Sequence, residues 1–219
     1  MSKIISPQEA AKLVQDGSTL MFGGFIGVGA PHSIIDAVVT QGTKNLTVIS
    51  NDTATPDKGI GKLIVNKQIS HVIASHIGTN KETGLQMNNG DIKVTLVPQG
   101  TLAERIRAYG CGLGGVLTPT GVGTPVETGK QSLELNGKKY LLEEALGAEV
   151  VFLKAHKADK KGNLVYRYMA RNFNPIMAMA GAIVVAEIDE IVEVGEINPN
   201  EVMTPAIFID YLVQSEVQE

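Results

Sequence analysis

A chain of 219 residues with 19 basic and 23 acidic side chains, net −4 with histidine neutral, has no run of cations to neutralise a line of phosphates. Duplex nucleic acid is therefore not an expected partner. A hydrophobic content of 43% is too high for disorder, yet no stretch of eighteen uncharged apolar residues is present to span a bilayer, and a single cysteine, Cys111, excludes an internal disulfide or a cysteine-based metal framework. The amino-terminal sequence lacks an apolar leader pattern, so the expected location is the cytoplasm. Twenty-four glycines, no tryptophan and 5% aromatics suit an α/β chain with many tight loops.

Ser6, Pro7 and Glu9 form a capping box with proline at the first helical position, and Gly17 marks the predicted end of a helix whose apolar face is Ala10, Leu13 and Val14. Thr19 to Phe22 is a continuous apolar run stopped by Gly23-Gly24, which predicts a short strand buried on both faces. A helix then runs from Pro31 to Gly42 on Ile34, Ile35, Val38 and Val39. Strands are predicted over 46–50, 72–75, 94–98, 150–155 and 183–187, with a helix from Leu102 to Tyr109 among the intervening stretches. This alternation implies an open, mostly parallel sheet with right-handed crossovers and helices on its faces. Asn136-Gly137 between two alternating runs predicts a type I′ hairpin excursion near 133–142. With no linker, repeat or low-complexity tract, one domain covering 1–219 is the expectation.

Open parallel sheets bind ligands beyond the carboxyl ends of their strands. The loop Gly23, Gly24, Phe25, Ile26, Gly27, Val28, Gly29 lies at such a place, ahead of a helix, where backbone N–H groups can meet a phosphate or pyrophosphate. It is neither a Rossmann fingerprint, since His32 occupies the third glycine position, nor a Walker A motif. On spacing alone its glycines serve turn geometry equally well. A second segment, 110–124, has six glycines in fifteen residues and is expected to be a long loop held by a ligand or a partner surface. His71 and His76, five apart on an extended run, do not form a helical zinc pair, so no metal is expected. Asn174 before Pro175 reads as a helix cap following Arg171 and Asn172, Asp159 to Asn163 as a solvated turn, and Cys111 as structural.

Asp16 to Pro31 resembles the signature of the family I coenzyme A transferases, an Asp-Gly, a hydrophobic strand and then G-G-F-x-x-x-G-x-P. The resemblance continues through 50–53, 74–80, 97–102, 117–124 and 170–175, and it is to the small α subunits acting on acetate, butyrate and acetoacetate. It implies the open-sheet fold of that family and ping-pong chemistry, in which a glutamate of the β subunit attacks a short-chain acyl-CoA and passes through an enzyme-CoA thioester. The nucleophile's Ser-Glu-Asn-Gly motif is absent here, so no catalytic nucleophile is expected on this chain; Glu134-Leu135-Asn136-Gly137 is expected to be the hairpin turn with its carboxylate in solvent.

The resemblance further implies a β-subunit partner, an α2β2 assembly, and coenzyme A as substrate with no tightly bound cofactor. It assigns CoA contact to the loop Gly23 to Gly29. Gln99 would touch the acyl group or carboxylate, a neutral amide donating to charge that develops on the thioester oxygen; plain loop capping is the alternative for that side chain. Leu113 to Leu117 is the expected contact with the β subunit. Two competing functions are a sugar-phosphate isomerase on the same fold and a non-catalytic regulatory subunit. An isomerase would need a base and phosphate-binding basic residues, and no Lys or Arg lies between Asp16 and Gln41.

Overall fold

A computed structural model describes residues 3–216. In chain order its elements are β1 (Ile4–Ile5), α1 (Pro7–Ala11), β2 (Thr19–Phe22), α2 (His32–Gln41), β3 (Leu46–Ser50), α3 (Gly61–Val65), β4 (Ile69–Ala74), α4 (Lys81–Asn89), β5 (Lys93–Leu96) and α5 (Gln99–Gly110). These are followed by β6 (Gly115–Thr118), β7 (Ser132–Leu135), β8 (Lys138–Glu144), β9 (Ala148–Asp159), β10 (Leu164–Val165), α6 (Asn174–Met177), β11 (Gly181–Val192) and β12 (Tyr211–Gln214).

The main sheet runs β1-β12-β11-β9-β2-β3-β4-β5 with every neighbouring pair parallel, and β10 adds antiparallel to β9. This is the expected open parallel sheet. Because successive side chains of a strand point to opposite faces, β2 feeds two cores. Leu20 and Phe22 join Ile34, Ile35 and Val38 of α2 on one face, while Met21 joins Leu102 and Ile106 of α5 and Met177 of α6 on the other. Phe22 stacks on Phe152 of the neighbouring β9 at 5.2 Å. The sheet ends at β5, four residues with Pro98 just beyond, and at the two-residue β1. No helix among the described residues is long and apolar enough to cross a membrane.

Four local expectations change. The Ser6 and Glu9 capping box forms, but α1 stops at Ala11, and Leu13 and Val14 donate three residues back, so a tightened turn rather than helix leads to Gly17. β9 and β11 each extend to twelve residues because they pair with one another far beyond the end of β2. Residues 115–118, read as loop, form β6 and pair with β8, so the predicted hairpin is part of a three-stranded antiparallel sheet, β6-β8-β7. Its type I′ turn is as expected, with φ of +52° at Asn136 and +70° at Gly137, and Glu134 is exposed. Finally, Asp159 is buried rather than solvated. Burial raises its pKa, but hydrogen bonds from Asn163, Gly162 and Lys161 outweigh this and hold the carboxyl below its usual range.

Candidate functional site

The carboxyl ends of β2, β3, β4 and β5 stand side by side and bring together the segments after Phe22, Ser50, Ala74 and Leu96. The first is a tight turn: Phe25 and Val28 exchange both backbone hydrogen bonds, 2.9 and 3.0 Å, across Ile26 and Gly27. Three further amides are engaged. Gly23 N–H donates to the Phe152 carbonyl at 3.0 Å, Gly24 N–H to Asn172 Oδ1 at 3.2 Å, and Ile26 N–H to both oxygens of Asp52 at 3.2 and 3.0 Å. Five amides of the segment thus have acceptors inside the chain. The loop is held largely by hydrogen bonds within the chain, and its exposed flanks include the apolar side chains of Ile26 and Val28.

On the β3 side a continuous polar line begins at Asp52. This buried carboxylate accepts from Ile26, from Ala54 N–H at 2.7 Å and from Asn51 Nδ2 at 2.8 Å. Asn51 Oδ1 in turn accepts from Gln99 Nε2 at 2.8 Å and from Ser75 Oγ at 3.2 Å. Gln99 is the first residue of α5, directly after Pro98, and is exposed. The line therefore places Gln99 beside the glycine loop, with its second amide hydrogen and Oε1 available to a ligand. In the sequence Asn51 and Asp52 stand only within the family-like block 50–53. The signal that would have singled them out is a polar run directly after a buried strand.

On the β9 side the sequence reading of Asn174 is corrected. The residue capping α6 is Phe173, without a side-chain cap, and Asn174 lies within the helix. Its amide accepts from Lys154 N–H at 3.0 Å and donates to the carbonyls of Gly29 at 3.0 Å and Ala170 at 2.8 Å. A cap needs its side chain ahead of the first turn, whereas these backbone groups of β9 and the glycine loop would be buried without a partner.

Two clefts meet at Val28. One, of about 830 Å³, is bordered by Val28, His156, Tyr166, Arg167, Tyr168 and Glu190. The other, of about 450 Å³, is bordered by Ile26, His32, Asp36, Lys58 and Lys62. Basic residues absent from the loop's own neighbourhood in sequence thus arrive through the fold, although Lys62 is already paired with Asp36 at 2.6 Å. Beneath the first cleft, Lys154 is buried with Glu187 at 3.3 Å and Asp189 at 2.5 Å. Glu187 also accepts from Ser33 Oγ and Ile34 N–H in the first turn of α2, which fixes the helix that leaves the loop. Burial pushes the Tyr166 hydroxyl up to about 12, against the opposing effects of Thr204 and Arg171, so it remains neutral at physiological pH.

His76 forms a backbone bridge with Asp52 at this assembly, whereas His71 and Cys111 lie outside it. His71 Nε2 lies 2.9 Å from Thr95 Oγ1, and burial, then Lys93, lower its pKa. Cys111 is exposed just past α5. No group of three or more His, Cys, Asp and Glu able to hold a metal occurs among the described residues.

Residues 4–215 match the Coenzyme A transferase family, and the chain belongs to that family as an α-type subunit. It is 52% identical over 215 residues to the acetate CoA-transferase subunit alpha of Escherichia coli K12, covering 98% of each chain. It is 47% identical over 213 residues to the acetoacetyl-CoA:acetate/butyrate CoA transferase alpha subunit of Clostridium acetobutylicum, covering 97% of this chain and 98% of that one.

Among solved structures, an acyl-CoA transferase from E. coli O157:H7 in thioester complex with CoA superposes with a TM-score of 0.89 at 23% identity. The superposition covers all of this chain and 48% of that chain, so this chain spans about half its length. Glutaconate coenzyme A-transferase from Acidaminococcus fermentans gives 0.84 at 18% identity over 97% of this chain and 75% of that one. These two likenesses establish the fold. The family match sets aside the sugar-phosphate isomerase reading.

Proposed function

We propose that this chain, with a β subunit in an α2β2 assembly, transfers CoA between a short-chain acyl-CoA (acetyl-, butyryl- or acetoacetyl-CoA) and a short-chain carboxylate. A glutamate carboxylate of the β subunit attacks the thioester carbonyl and expels the CoA thiolate, leaving an acyl-glutamyl anhydride. The thiolate then attacks the glutamyl carbonyl of that anhydride, releasing the first carboxylate and leaving glutamyl-CoA. The acceptor acid reverses the two steps. In this reading the exposed flanks of Gly23 to Gly29 lie against CoA, and the available amide hydrogen of Gln99 is donated to the oxygen on which charge develops.

The observation that supports it best is the hydrogen-bonded line from Gln99 through Asn51 and Asp52 to Ile26, which ties the acyl contact to the loop. A donor already aimed before substrate arrives stabilises developing charge without reorganisation. The alternatives differ by a few carbons, and one methylene is worth only about 1–3 kcal/mol in a pocket, so the acceptor is settled by assay.

The test co-expresses the chain with a cognate β subunit and measures acetoacetate-dependent CoA transfer from acetyl-CoA and butyryl-CoA, for each subunit alone and for both together. Activity confined to the mixture is expected, as is a fall in kcat of about 100-fold in Gln99→Ala. Full turnover by the β subunit alone would overturn the shared site and leave this chain a regulatory role.

A further inference from the structure

The segment Ala170 to Asn174 lies against the glycine loop through side-chain amides. Asn172 bridges the entry and exit of the loop with one group: its Oδ1 accepts from Gly24 N–H at 3.2 Å, and its Nδ2 donates to the Val28 carbonyl at 3.0 Å. Asn174, fully buried, takes the Gly29 carbonyl on one side and Lys154 N–H of β9 on the other. The loop is therefore fastened on this face by two asparagines and on the opposite face by Asp52.

The positions of the glycines follow from this contact. A Cβ on Gly23 would stand 1.9 Å from Asn174 Oδ1, and a Cβ on Gly29 would stand 2.5 Å from the Ala170 carbonyl oxygen. Gly23 has no left-handed backbone to explain its identity, since it is absent from the residues with positive φ. What excludes a side chain there is Asn174. Ligand access does not explain it either, because the Gly23 and Gly24 amides already have acceptors within the chain.

We infer that Asn172 and Asn174 are positioning residues that hold the loop in its ligand-ready shape, and that Gly23 is glycine to admit Asn174 rather than to let a ligand approach the backbone. The inference deepens the proposed CoA contact and rests on it for its catalytic consequence. A loop ordered before binding spares the ligand the cost of ordering it, and displacement of a contact by about 1 Å can lower turnover by about 100-fold.

A double-mutant cycle between Gly23 and Asn174 in the assembled enzyme tests this. Gly23→Ala alone is expected to lower kcat/KM for acyl-CoA by about 100-fold through displacement of the loop, chiefly by raising KM. With the obstructing side chain gone in Asn174→Ala, adding Gly23→Ala is expected to cost less than about threefold. An equal cost in both backgrounds would overturn the inference, because the methyl group would then be meeting the ligand.

Amide exchange on the full chain supplies a second measurement that needs neither turnover nor a folded Asn174 variant. In Asn172→Ala the Gly24 amide is expected to exchange about tenfold faster while the Ile26 amide, held by Asp52, keeps its rate. An unchanged Gly24 rate would also overturn the inference. Failure of the wild-type mixture to transfer CoA would refute the proposed function and leave this exchange result to decide the clamp separately.

Discussion

The molecule has two glycine-rich segments with different surroundings. In 23–29, added Cβ atoms at Gly23 and Gly29 strike Asn174 and Ala170, and amides are bound to groups from β9, from Asp52 just past β3 and from the 170–174 segment. In 110–124, the same test at Gly112, Gly114 and Gly123 finds open space within 4 Å, and Leu113 and Leu117 are exposed. Gly110, Gly115 and Gly121 are the tight positions there, against Met179, the strand partner Glu143 and the Val126 side chain. The density of glycine in a sequence does not distinguish a tightly packed loop from a more open connection. What the missing side chain would meet does.

Substitutions grade that contrast. Gly29→Ala should have the largest effect, because φ is +70° and the obstruction is backbone that cannot swing away; CoA transfer by the mixed subunits should fall by about 100-fold. Asp52→Ala removes the acceptor of Ile26 and Ala54 N–H in a buried setting and should cost about 2–3 kcal/mol, read as a shift in the denaturation midpoint. Gly112→Ala, at φ +71° with nothing nearby, should cost only about 1 kcal/mol in the same denaturation and leave turnover unchanged. If it reduced transfer as severely as Gly29→Ala, the contrast between the segments would collapse.

The smallest effect expected is one of pH. Glu127 accepts from Gly123 N–H at 2.8 Å and pairs with Lys139, and these contacts lower its carboxyl pKa from the ordinary 4.5. A depressed carboxyl contributes order that is present above 4.5 and lost as the pH drops through its folded value. The Gly123 amide resonance should therefore shift in acid, and Glu127→Gln should abolish the shift. Gly24, whose acceptor is the neutral amide of Asn172, should not follow that titration.

What the sequence made legible was local. The buried run Thr19 to Phe22, its glycine stop and the helix from Pro31 to Gly42 agree with the structure to within a residue, because burial pattern and caps are properties of neighbouring residues. The Asn136-Gly137 turn follows for the same reason. The strand at 115–118 was not legible, since only pairing with residues 141–144 makes it one. Nor was the role of Asn174, whose local signal is a helix cap but whose partner Gly29 is 145 residues away. Gln99 was reached through the family resemblance, and the geometry adds Asn51 as the group that orients it. Lys58 lies against Gly27 across thirty-one positions of sequence, beyond any inspection of the loop's own flanks.

The two ends of the main sheet have a consequence for association. A long exposed edge strand is a template on which another chain can add, which invites fibrous aggregation. Here one edge is four residues long, starts with Lys93 and is followed by Pro98, while the other edge has two residues. Neither can support an extended main-chain ladder. Copies of this chain are therefore poor seeds for growth of the main sheet at either edge.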